Sequence, residues 1–112
     1  MKTIDAIQSL AALAQATRLD IYRLLVQKGP DGLAATAIAE KLDIPNATLS
    51  FHVKLLTQAG LVSARQEGRF IYYAANYPAM NALVGFLTEN CCAGEDCSVV
   101  RVPVKTSKRK SA

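Results

Sequence analysis

The stretch TAIAEKLDIPNATLSFHVKLLTQAGLV, residues 36–62, decides the fold. Thr36, Ile38, Ala39 and Leu42 mark a short helix of about two turns. Asp43, Ile44 and Pro45 then break it, because a proline disfavours helical geometry in the residue before it. From Asn46 to Ala59 a longer helix follows. Its Leu49, Val53 and Leu56 fall on one face, and Gly60 is placed to end it in the left-handed conformation that glycine adopts without strain. A short helix, a tight turn and a longer helix form the helix-turn-helix arrangement, with the second helix as the reading element.

Downstream, the 3.6-residue period gives way to one closer to two. Leu61 to Arg65 and Phe70 to Ala75 are β-prone runs, and Gln66, Glu67, Gly68 and Arg69 between them suit a hairpin. Asn76 and Pro78 open a last helix with Met80, Leu83, Val84 and Leu87 as its apolar stripe, ending near Asn90. Upstream, Ile4, Ile7, Leu10, Ala11 and Leu13 line one face of a first helix. A second helix carries Leu19, Tyr22, Leu25 and Val26, with Thr17 as its expected cap, Asp20 in the capping-box position and Gly29 to Gly32 as its stop. The order ααααββα predicts a mostly α chain with a small β-hairpin, a winged helix-turn-helix. Residues 1–90 form the DNA-binding and dimerisation domain, 91–100 a cysteine segment, and 101–112 a basic tail whose composition predicts disorder.

The chain has 112 residues, 51% of them hydrophobic and 20% charged, the composition of one folded domain. Its net charge of +4 is unevenly distributed. The tail holds Arg101, Lys105, Lys108, Arg109 and Lys110 with no acid, while the other 100 residues carry 8 basic and 9 acidic groups. Bulk charge therefore does not argue for nucleic acid, and local pattern must. No run of 18 apolar residues exists, and the N-terminus lacks the order of a signal peptide, so the expectation is a cytoplasmic protein with no membrane partner.

With Leu49, Val53 and Leu56 turned inward, Ala47, Phe51, Lys54 and Gln58 face outward, and Asn46, Thr48 and Ser50 flank that face at the helix start. Small polar side chains allow a helix to enter a major groove roughly 12 Å wide and offer hydrogen bonds to bases or phosphates. An outward Phe51 is costly unless it meets something apolar, for which a thymine methyl is a candidate. Arg65 and Arg69 on the hairpin suit phosphate or minor-groove contact. His52 sits at the edge of the buried stripe, where a packed, hydrogen-bonded histidine is the commoner outcome and a DNA contact the alternative. The same polar face and basic hairpin would also serve for solubility alone.

The runs AALAQATRLDIYRLL (residues 11–25), IAEKL (38–42), TLSFHVKLL (48–56) and AGLV (59–62) resemble the ArsR/SmtB family of metal-sensing repressors, over roughly residues 10 to 90. The resemblance implies a winged-helix homodimer, joined through its first and last helices, that binds an inverted-repeat operator in double-stranded DNA and releases it when a metal or metalloid binds. Two sensing patterns of that family are missing here. The paired cysteines of its prototype arsenic repressors would align with Ala34, Ala35 and Thr36, and residues 76–90 contain no histidine and only Glu89 as a carboxylate.

What remains is Cys91, Cys92 and Cys97, all within seven residues. An odd, tightly spaced set is a poor disulfide framework. Adjacent helical residues point about 100° apart, so Cys91 and Cys92 can aim at one ion only if the chain leaves the helix there, a turn that Gly94 would permit. Three soft thiolates without a fourth strong ligand favour a pyramidal ion such as As(III), with Sb(III) as its congener, and a cysteine pair with a third beyond the last helix resembles one arsenic-responsive subgroup. Alternatives use the same residues: a Cys92–Cys97 disulfide, a zinc site completed by Asp96 or water, a thiol redox sensor or another soft metal. A thiol-dependent arsenic enzyme is poorly supported, because the chain has no phosphate-cradling glycine loop and its single histidine lies far from the cysteines in sequence.

Overall fold

The computed structural model describes residues 1–94. The expectations for Cys97, for residues 95–100 and for the tail 101–112 lie outside the described residues. Five α-helices and a small antiparallel sheet are arranged as α1 (Thr3–Leu13), α2 (Ala16–Lys28), β1 (Leu33–Ala34), α3 (Ala35–Leu42), α4 (Asn46–Gln58), β2 (Val62–Glu67), β3 (Phe70–Ala75) and α5 (Tyr77–Leu87). This is the expected winged helix-turn-helix, with one strand more than anticipated. The added β1 pairs antiparallel with β3, Leu33 opposite Tyr73 and Ala34 opposite Tyr72, so the sheet order is β1-β3-β2. Two residues are too few to carry a period-two signal, which is why the strand is invisible in the sequence.

The core forms where α2, α3, α4 and the base of the sheet meet. Ile21, Leu25, Ile38, Leu49, Val53, Leu56 and Leu61 are essentially inaccessible there, and Val62 and Ala75 close it from the sheet. Leu49, Val53 and Leu56 are thus buried as their spacing requires. Gly60 sits at φ +80 after α4, in the expected left-handed position. The hairpin turn is tighter than expected: β2 runs on to Glu67, which pairs with Phe70, leaving only Gly68 and Arg69 in the turn with Gly68 at φ +61.

Two helix ends differ from expectation. Helix α2 starts at Ala16, so its cap is Gln15, whose side-chain carbonyl accepts the Arg18 backbone N–H at 2.8 Å. Thr17 lies inside the first turn and Asp20 is exposed, so neither caps. Helix α5 begins as expected, with the Asn76 side chain accepting from the Ala79 N–H at 3.3 Å and donating to the Gly60 carbonyl at 2.9 Å. It ends at Leu87 rather than near Asn90, and Asn90 itself takes a left-handed φ of 56°.

Of the expected apolar stripe of α1, Leu13 packs against this core and the rest faces away from it. Ala6 and Ser9 are the residues of α1 turned inward, whereas Ile4, Ile7 and Leu10 are 57%, 54% and 42% exposed. On α5, Leu83 is buried but Val84 and Leu87 are exposed. The described residues therefore leave apolar faces on the first and last helices uncovered. In the interior, Tyr77 donates to the Val26 carbonyl at 2.9 Å, while the Tyr22 hydroxyl is buried with no hydrogen-bond partner among the described residues. Burial raises the pKa of Tyr22, and the neighbouring Tyr77 adds to the effect.

Candidate nucleic-acid interface and thiol pair

Helix α4 projects from the turn Asp43–Pro45, with Asp43 in the left-handed conformation (φ 55°) that ends α3. Its N-terminal N–H groups receive no side-chain cap, since Pro45 occupies the capping position. Asn46, Ala47, Ser50, Lys54 and Gln58 are exposed, and Thr48 and His52 are half-buried on the flank. Phe51 is 61% exposed, a large apolar side chain in the middle of an otherwise polar face. Its ring meets that of His52 edge-on, centroids 5.2 Å apart and planes 70° inclined. The helix thus presents small polar groups, one cation and one aromatic ring outward, with uncapped amides at its tip that favour anions.

The two arginines of the wing are not equivalent. Arg65 Nε donates to Glu67 Oε2 at 2.6 Å, and both terminal nitrogens reach the Asp31 carbonyl at 3.3 Å. Its guanidinium also lies 4.9 Å from the centroid of the Tyr72 ring, the residue opposite it in the sheet. Residues two apart on a strand share a face, so the Arg65-x-Glu67 spacing was the available signal for this pairing. Arg69, at the turn, makes no hydrogen bond or ion pair among the described residues and is exposed. Arg65 ties the wing to the α2–β1 turn while its side chain stays 45% exposed, whereas Arg69 carries no such contact among the described residues.

Sequence reasoning missed Arg18. Its Nε donates to the Ala12 carbonyl at the end of α1 (2.6 Å), and one terminal nitrogen stands 3.4 Å from Nδ1 of His52 on α4. The His52 contact spans 34 positions of chain, beyond the reach of any local pattern.

The thiols follow α5 in a short 3-10 turn, Cys91–Gly94. The chain leaves right-handed helical geometry there, as the pairing of adjacent thiols requires, through Asn90, Cys92 and Ala93, with φ values of 56°, 57° and 57°. Cys91 and Cys92 Sγ lie 3.5 Å apart, far beyond the roughly 2.05 Å of a disulfide. Cys91 is half-buried and Cys92 exposed. No group of three or more metal-ligating side chains occurs among the described residues, the third cysteine lying outside them.

A buried-stripe recognition helix, a preceding short helix and a three-stranded wing define a winged helix-turn-helix DNA-binding protein. Residues 13–64 match the helix-turn-helix domain family. The arsenical resistance operon repressor of Bacillus subtilis is 32% identical over 85 residues, covering 76% of this chain and 77% of that protein. Among solved structures, an ArsR-like transcriptional regulator from Rhodococcus sp. RHA1 superposes with a TM-score of 0.68 at 26% identity, over 81% of this chain and 82% of that one. The homodimeric winged helix-turn-helix DNA-binding domain of Mb0332 from Mycobacterium bovis, a possible ArsR-family regulator, does so with a TM-score of 0.61 at 31% identity, over 83% and 86%. The chain belongs to the ArsR family of winged helix-turn-helix transcriptional repressors. Relatives and fold are those of DNA-binding regulators and not of enzymes. No helix among the described residues is long and apolar enough to cross a membrane.

Proposed function

We propose that the protein is a homodimeric repressor that binds an inverted-repeat operator and releases it when As(III), or Sb(III), is held by Cys91, Cys92 and Cys97. The observation that carries the sensing half is the 3.5 Å separation of the Cys91 and Cys92 sulfurs at the end of α5. Two thiolates about 2.3 Å from one ion, at an angle between roughly 90° and 110°, stand about 3.3 to 3.8 Å apart. The pair thus has the spacing of two ligands to one soft ion, on a backbone already turned out of the helix. The arsenical-resistance relative supports the metalloid reading.

The dimer half rests on Ile4, Ile7, Leu10, Val84 and Leu87, exposed in one chain and apolar. A two-fold pairing of α1 and α5 faces removes them from water and sets two α4 helices for successive major grooves, about 34 to 36 Å apart. The homodimeric Mycobacterium relative supports that assembly. Asn46, Thr48, Ser50, Phe51, His52 and Lys54 meet the groove, and Arg69 meets the phosphates or the minor groove beside it. Because the thiols adjoin α5, a rearrangement of that helix end reaches the dimer contact directly. Release requires that the free dimer hold the ion better than the DNA-bound one, by a coupling of about 1 to 3 kcal/mol. The cysteines must lose protons to bind, so sensitivity falls as pH is lowered.

An operator-release titration with As(III), Sb(III), Zn(II), Cd(II) and peroxide in parallel tests the reading. Release by As(III) and Sb(III) at the lowest concentrations is expected; release by Zn(II) or by peroxide alone would replace it with a zinc or a redox sensor. For the DNA half, Arg69→Ala should weaken binding to all duplexes alike and lower the salt slope by about 1, measured by anisotropy across a salt series. Arg65→Ala should change that slope less, since its guanidinium is held within the wing. Equal slopes for the two variants would mean that both arginines, or neither, contact phosphate.

A further inference from the structure

The recognition helix carries one side chain whose orientation is set from outside the helix. Arg18 is pinned at the α1–α2 junction: its backbone N–H donates to Gln15 and its Nε to the Ala12 carbonyl at 2.6 Å. From there one terminal nitrogen reaches Nδ1 of His52 at 3.4 Å, a long contact at the edge of hydrogen-bonding distance. A guanidinium has only donors, so the contact is a hydrogen bond only when Nδ1 is bare, and a neutral ring then carries its proton on Nε2. The Phe51 ring also stands edge-on to the imidazole.

Nε2 has no hydrogen-bond partner among the described residues, and it is not among their buried unsatisfied atoms. It is therefore not sealed from solvent, and it is the donor of the neutral ring whenever Nδ1 accepts from Arg18. His52 lies one turn beyond Thr48 on the half-buried flank of α4 rather than on its outward face. On a helix seated in a major groove, a flank faces the groove wall, where the acceptors are phosphate oxygens, whereas the outward face meets base edges. Arg18 has no acidic partner among the described residues, so its charge adds to the attraction for an anion at this point.

We propose that Arg18 is a positioning residue that holds His52 as an Nε2–H donor to a backbone phosphate of the bound DNA. The inference rests on operator binding through α4 and adds a phosphate contact made from the α1–α2 junction side of that helix. Through Ala12 and Arg18, it also connects the end of the dimerisation helix with the recognition helix.

Two histidine replacements separate the ring nitrogens. His52→Gln puts an amide nitrogen near the place of Nε2 and keeps the donor, while His52→Asn puts an amide oxygen near Nδ1 and keeps only the Arg18 contact. Operator affinity should fall no more than about threefold in His52→Gln and roughly tenfold in His52→Asn and His52→Ala. Arg18→Gln should cost a similar factor, and combining it with His52→Ala should add little. Nitrogen-15 NMR of the DNA-free protein should find His52 in the Nε2–H tautomer, changing to a mixture in Arg18→Gln, a readout that loss of packing alone would not move. An Nδ1–H tautomer in the unmodified protein, or wild-type affinity in His52→Asn, would overturn the proposal. Failure of the unmodified protein to bind any duplex would sink the operator reading and the phosphate contact together, whereas the NMR result would still decide the Arg18–His52 pairing.

Discussion

Replacing Cys91, Cys92 or Cys97 singly with serine is expected to leave operator affinity unchanged and to move the As(III) midpoint for release upward by at least about 100-fold. A serine hydroxyl is a hard donor that stays protonated at neutral pH, so each variant removes one soft ligand from a set of three without changing side-chain size much. Cys91 and Cys92 stand outside the hydrophobic core, which is built from α2, α3, α4 and the sheet, so neither folding nor the α4 surface depends on them. Anisotropy of a labelled operator, titrated with As(III), reads both quantities in one experiment. Wild-type release in all three variants would remove the thiol set from the mechanism. Loss in Cys91→Ser and Cys92→Ser alone would reduce the site to the vicinal pair.

The largest expected effect on stability falls on a glycine. Gly32 has φ +74, and a Cβ built there would overlap the Tyr73 carbonyl oxygen and come within 2.9 Å of its carbon. Those atoms belong to the backbone of β3 where β1 pairs with it, so they cannot swing aside as a side-chain tip would. Gly32→Ala should therefore cost about 3 kcal/mol or more, strain at positive φ plus displacement of the β1–β3 pairing. Gly60→Ala is the control. Gly60 also has a positive φ, +80, but nothing lies within 4 Å of its would-be Cβ, so only the conformational term of about 1 kcal/mol remains. Urea unfolding of the two variants measures the difference. Equal losses would mean that close approach at Gly32 contributes nothing, and that the wing does not hang on β1 as described.

Features legible in the sequence are those governed by neighbours along the chain. Helix α4 was readable because Leu49, Val53 and Leu56 repeat at the helical period, and that face must be buried whatever covers it. The wing was readable from alternation and from Gly68, and the start of α5 from Asn76 and Pro78. The cap of α2 is not legible in the sequence because Gln is not among the preferred capping residues, yet Gln15 accepts the Arg18 N–H where Thr17 was the expected cap. The departure from helical geometry at Cys91 and Cys92 was expected from their adjacency, and Asn90, Cys92 and Ala93 take the left-handed φ values there.

Composition and periodicity by themselves determined the order of the five helices and the hairpin, the inward face of α4 and the presence of three closely spaced thiols, because each follows from local spacing and residue type. Tertiary structure alone decided which neighbour each polar group meets. It placed two residues of β1 on β3, engaged Arg65 with Glu67, Asp31 and Tyr72 while leaving Arg69 outward, and brought Arg18 to His52 across 34 positions of sequence. It also turned Ala6 and Ser9 of α1 toward the protein and left Ile4, Ile7 and Leu10 outside. An amphipathic pattern states that a face must be covered. Only the packing of the other helices decides whether the same chain covers it.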